Sequence, residues 1–130
     1  MKKMDLIKQS VKKSEEQRKK LECGDIKFGM FPLFAYQKKL PAMLKKYKKS
    51  DARDAIVLYM FYLSMVCRIP GHELEGCAFP SMDQITKNTG VHRSRIAKLN
   101  EILVKEQLIE QFKIPYEGHA KNVYVPMFNF

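Results

Sequence analysis

The chain has 130 residues, enough for one domain with an added arm, and 45% of them are hydrophobic, which excludes wholesale disorder. Lysine and arginine number 24 against 14 acidic residues, a net charge of +10. Such an excess points to anionic partners, nucleic acid first and an anionic membrane surface second.

Residues 1–22 are rich in Lys, Glu and Gln, with Ile7, Val11 and Leu21 making one thin apolar stripe at helical spacing. This arm is either a helix that docks on a partner or a frayed basic tail. Too few large apolar residues line it to favour a membrane anchor. The run DIKFGMFPLF, marked by Gly24 and Gly29, reads as extended. Pro41 then opens a short helix running to about Lys48. Lys38, Lys39, Lys45, Lys46, Lys48 and Lys49 form either a solvated face or a source of sequence-independent phosphate contacts.

Ser50 is the expected N-cap of the next helix, and Asp51 and Asp54 suit its positive end. That helix should end near Arg68, ahead of Pro70, Gly71 and Gly76. Its apolar stretch, AIVLYMFYLSMVC, has 13 residues and is too short to cross a bilayer. Tyr59, Phe61 and Tyr62 therefore read as core, with a homodimer interface as the lesser alternative. CAF, residues 77–79, is a short strand candidate stopped by Pro80.

Ser81 caps a second helix, from Met82 to about Asn88, and Gly90 stands where a helix C-terminus needs a left-handed residue. A third helix follows from about His92 to Glu106. Ile85, Val91, Ile96, Leu99 and Leu103 are the apolar pins of the corner between the two helices. With those residues inward, Ser94, Ala97, Lys98 and Glu101 point outward, and Arg93 and Arg95 lie on the two shoulders. A helix of this kind fits a major groove. Arginine can grip guanine in two places, serine and lysine can contact base edges or phosphate, and Ala97 leaves room for a thymine methyl. The helix N-terminus at Ser81 and Met82 can offer backbone N–H groups to a phosphate. Two strand-like runs, LIEQFKI and VYVPMF, close the chain around the turn region PYEGHAKN.

The segment FPSMDQITKNTGVHRSRIAKLNEILVKEQLI resembles the helix-turn-helix core of winged-helix DNA-binding proteins. The matching positions are Thr86, Gly90, Val91 and Ile96. Two positions depart from the family pattern. Thr86 stands where alanine is usual, which should loosen the contact between the helices. His92 stands where the family has a serine or threonine to cap the third helix. From the helix at Asp51 to the closing hairpin, residues 50–128 resemble winged-helix domains of plasmid and phage replication-type proteins of Gram-positive bacteria.

The resemblance implies a mainly α fold with a small β-hairpin wing (α+β). A winged helix-turn-helix domain would occupy residues 50–130, behind a basic arm or helical extension over 1–49. It further implies sequence-specific binding to double-stranded DNA, in replication, maintenance, transfer or transcriptional control of a mobile element. Gly118 would lie near the wing tip, with His119, Lys121 and Asn122 suited to phosphate or minor-groove contact. The expected DNA-facing set is Ser81, His92, Arg93, Ser94, Arg95, Ala97, Lys98, His119, Lys121 and Asn122. The alternative is a winged-helix adaptor for a protein partner, bound through the basic arm.

Catalytic and metal motifs do not emerge. The three cysteines, Cys23, Cys67 and Cys77, form no CxxC pair, and Cys67, His72 and Cys77 lack the tight spacing of a structural zinc site. No nucleophile elbow, P-loop or H-E-x-x-H is present, so neither an enzyme nor a cofactor is expected. The N-terminal segment turns polar before any secretory apolar region forms, and a reducing cytoplasm is the expected compartment.

Overall fold

The computed structural model describes residues 3–22 and 35–128. The expected extended run 25–34, Cys23 and the Leu21 side chain lie outside the described residues. The fold is mainly helical with one small antiparallel hairpin. In chain order, α1 (Lys3–Glu22) is followed by a π-helical turn (Ala35–Lys39), α2 (Leu40–Lys46) and α3 (Lys49–Ser64). Then come α4 (Met82–Thr89), α5 (Arg93–Lys105), β1 (Ile109–Tyr116) and β2 (His119–Pro126).

Local chemistry explains α4 and the corner that follows it. Ser81 Oγ accepts the Gln84 N–H at 3.1 Å, and Gln84 Oε1 accepts the Ser81 N–H at 2.9 Å, a complete capping box. At the other end Gly90 takes φ 75°, and its N–H bonds to the Thr86 carbonyl. A side chain with a Cβ is strained in that left-handed conformation. Ile85, Val91, Ile96, Leu99 and Leu103 are all buried, in one cluster with Ala52, Ile56, Leu58, Tyr59 and Tyr62 of α3.

Thr86 is half-buried on α4, and its Oγ1 is buried with no hydrogen-bond partner among the described residues. An unpaired buried hydroxyl carries a desolvation penalty of about 1–3 kcal/mol. Alanine also has the higher helix propensity. Thr86→Ala should therefore stabilise the protein by about 1 kcal/mol, read as a higher melting temperature. A lower one would mean that the methyl group packs better than the hydroxyl costs.

Helix α3 departs from expectation at both ends. It begins at Lys49, with Lys48 as an N-cap that makes no side-chain hydrogen bond, so Ser50 lies inside the first turn rather than capping it. It stops at Ser64 instead of near Arg68 because Cys67 is drawn into extended pairing. The Cys67 N–H donates to the Cys77 carbonyl at 2.9 Å, and its own carbonyl accepts the Gly76 N–H at 2.8 Å. Short helix α2 carries Pro41 in its first turn, as the sequence indicates, but ends at Lys46.

Hairpin strands run from Ile109 opposite Pro126 to Tyr116 opposite His119. Only Glu117 (φ 51°) and Gly118 (φ 81°) form the loop. Two consecutive left-handed residues match the twist of antiparallel strands, as in a type I′ turn. The eight-residue turn region read from PYEGHAKN thus shrinks to two residues, and His119, Lys121 and Asn122 belong to β2. One hairpin face packs on the helical core, where the Tyr124 ring stacks on Tyr62 with centroids 4.2 Å apart. The CAF strand reduces to one bridge, in which Ala78 and Tyr124 exchange two 2.8 Å backbone bonds.

The opposite face carries Ile114, Val123 and Val125, in a second cluster with Ile7 of α1, Leu74, Cys77 and Met127. Polar bonds seat α1 there as well: Ser14 Oγ donates to the Pro126 carbonyl at 2.6 Å, and Gln17 Oε1 accepts the Phe128 N–H at 2.9 Å. Ser10 donates to Glu110. The N-terminal helix thus docks on the chain's own hairpin. Ala35 and Met43 likewise enter the main cluster, so residues on both sides of position 50 share its core. No helix among the described residues is long and apolar enough to cross a membrane.

Candidate nucleic-acid interface

The buried stripe of Ile96, Leu99 and Leu103 fixes which way α5 faces. Its opposite side is a ridge on which His92, Arg93, Ser94, Ala97, Lys98 and Glu101 are all exposed. His92 is the N-cap: its Nδ1 accepts the Ser94 N–H at 3.1 Å and lies 2.8 Å from Ser94 Oγ. An imidazole nitrogen here does what a serine or threonine oxygen usually does.

Arg93, Arg95 and Lys98 each meet an aspartate. Arg93 Nη1 donates to Asp83 Oδ1 at 3.0 Å across the corner, and both side chains stay open to solvent, at 63% and 85% exposure. Lys98 Nζ lies 3.0 Å from Asp51 Oδ2 and is 63% exposed. Arg95 differs from both. Its Nη2 donates to Asp51 at 2.9 Å and its Nη1 to Asp54 at 2.5 Å. The sequence places Arg95 on a shoulder of the outer face; the structure turns it inward, half-buried, as a clamp between α5 and α3. Lys98 and then Arg95 hold the Asp51 carboxyl below its ordinary range, and Asp54 and Asp51 in turn raise the affinity of Arg95 for its proton.

A groove of about 260 Å³ lies between the start of α4 and the hairpin, lined by Ser81 and Met82 and by His119, Lys121 and Asn122. His119 is exposed, while Lys121 and Asn122 are half-buried. Lys121 Nζ sits 5.4 Å from the centroid of the Phe79 ring, a cation–π contact that steadies it. Ser81 shapes the wall, but its N–H and Oγ are both committed to the capping box, so it has less to offer a phosphate than its position suggests. The first turn of α4 joins the groove to the ridge, because Asp83, two residues after Ser81, is the partner of Arg93.

Sequence reasoning missed Asp51, Asp54 and Asp83 as partners of the basic helix. Asp51 and Asp54, three residues apart, share a helix face, and that spacing was the available signal. Among the described residues no group of three or more His, Cys, Asp or Glu side chains is placed to hold a metal ion. Cys67 and Cys77 are free thiols, and burial pushes the Cys77 thiol up to about 12. No protein-family model, curated protein or solved structure was found to match the chain.

Proposed function

We propose that this chain is a winged helix-turn-helix protein that binds specific sites in double-stranded DNA. Helix α5 would enter the major groove, and the β1–β2 hairpin would lie as a wing on the backbone or minor groove. The order of elements from α3 to β2 supports this reading. The observation that carries it is the ridge of α5, where Arg93 and Lys98 stay 63% exposed on either side of the small Ala97. The Arg93–Asp83 pair is open to solvent on both sides, and such a pair contributes only about 0–1 kcal/mol, so a guanine edge or a phosphate can displace Asp83. The task such binding would serve is replication, maintenance, transfer or transcriptional control of a mobile element, following the family resemblance.

The pairing of Arg93, Arg95 and Lys98 with aspartates also favours a second reading, a protein-interaction adaptor with a nearly neutral helix face. Duplex binding measured across salt separates the two, since an adaptor shows no steep salt dependence.

Two variants test the division of roles within the DNA-binding reading. Arg93→Ala should lose about 1–3 kcal/mol of binding to the preferred site and relax the choice of base at one position. Lys121→Ala should weaken all duplexes alike and lower the salt slope by about 1. If Arg93→Ala binds every probe as the parent protein does, α5 is not the reading element.

A further inference from the structure

We propose that the corner between α2 and α3, formed by Lys45, Lys48, Lys49 and Arg53, grips the DNA backbone independently of sequence. This inference rests on the DNA-binding reading and goes beyond it by placing the phosphate-binding surface away from both the recognition helix and the hairpin.

The argument begins with which cations are already occupied. Within the lysine-rich run, Lys39 donates to the Glu106 carbonyl at 3.1 Å and Lys46 lies 3.4 Å from the Glu106 carboxylate. Both are tied to the end of α5. Lys45, Lys48, Lys49 and Arg53 are exposed, and among the described residues none of them lies within ion-pair distance of a carboxylate. On α5, Arg93, Arg95 and Lys98 instead face Asp83, Asp54 and Asp51, and Lys105 in the last turn is the exception. A polyanion therefore meets uncompensated positive charge at the corner, beside a helix whose first-turn arginines are already paired. Affinity for duplex DNA follows the number of phosphates neutralised and counterions released.

Position supports the same partner. Asp51 comes two residues after Lys49, and it holds both Arg95 and Lys98. The corner thus adjoins the base of the ridge that would face the bases. It is also rigid: Met43 is buried in the core, and the Tyr47 hydroxyl donates to Glu106 at 2.9 Å. Lysines on a fixed corner lose less freedom on binding than lysines on a tail. A membrane surface suits the corner less well, because the exposed residues between Lys45 and Arg53 are Lys46, Lys48, Lys49 and Ser50, with no exposed large apolar side chain among them to insert.

The test uses the full chain with Lys45→Gln, Lys48→Gln and Lys49→Gln combined. A control removes the same charge from exposed positions of α1, with Lys8→Gln, Lys12→Gln and Lys19→Gln combined. Binding to a fixed random-sequence duplex and to a duplex selected by the parent protein is followed by fluorescence anisotropy across salt. The corner variant should lower the slope of log K against log [salt] by about 2.7, at about 0.9 per contact. Its preference for the selected duplex should not change, and the α1 control should keep the parent slope. An unchanged slope in the corner variant, while the parent protein binds steeply, overturns the corner and leaves the DNA-binding reading intact. So does an equal loss in the control, which makes the effect one of net charge. Equal, lysine-dependent binding of the parent protein to vesicles with 30% anionic lipid overturns it in favour of a membrane. If the parent protein binds no duplex at any salt, the DNA-binding reading itself is lost.

Discussion

Leu99→Ala should cost the fold about 2–5 kcal/mol, a large share of a total of about 5–15 kcal/mol for a domain of this size. Leu99 is fully buried, one turn from both Ile96 and Leu103, in the stripe that α5 turns toward α3 and α4. Truncation removes apolar contact and leaves a cavity that rigid neighbours such as Tyr59 and Tyr62 cannot fill. Urea denaturation should show a lower midpoint with an unchanged slope. The orientation of the ridge depends on this stripe, so a loss under about 1 kcal/mol would mean that α5 is not seated as described.

Glu106→Ala should be nearly as damaging, at about 3 kcal/mol, the low end of the range for breaking a buried ion pair. Glu106 ends α5, and its side chain is only 7% exposed. Its carboxylate accepts the Tyr47 hydroxyl at 2.9 Å, with Lys46 at 3.4 Å and Lys39 at 3.9 Å. Alanine would leave the Tyr47 hydroxyl and the Lys39 ammonium, which is 19% exposed, without that acceptor. The low end applies because Lys46 is 60% exposed and returns to water easily. Glu106→Gln keeps an acceptor for Tyr47 and should recover part of the loss. Burial, then the hydrogen bond and charge of Glu106, hold the Tyr47 hydroxyl above its ordinary range. An ultraviolet titration of Glu106→Gln should accordingly show Tyr47 ionising at lower pH than in the parent protein. Glu106→Ala without a stability change would separate residues 35–47 from the end of α5.

What the sequence makes legible is what short-range chemistry decides. Ser81, Gln84 and Gly90 act within one helix, and the inward stripe of Ile96, Leu99 and Leu103 follows from helical spacing alone. The two-strand hairpin is equally local, although its loop is far tighter than the polar residues around Gly118 suggest. Arg95 was not legible, because its partners Asp51 and Asp54 lie 44 and 41 residues away. Spacing shows which shoulder of the helix it occupies but not that an acidic helix end waits there. The end of α3 failed for a similar reason. Apolar residues up to Cys67 continue the helical pattern, and only the pairing of Cys67 with Cys77 pulls them out of it. The docking of α1 on the hairpin needs Ile7, Ser14 and Gln17 to meet residues more than 100 positions away, which no local pattern carries.

Selection of bound sequences from a random duplex library tests the central claim most directly. The parent protein should enrich one motif, and Arg93→Ala should lose the base preference at a single position within it. Two half-sites about one helical turn apart would show that it binds as a dimer. Recovery of the starting library, with no motif enriched at low or moderate salt, would contradict a recognition role for the ridge of α5.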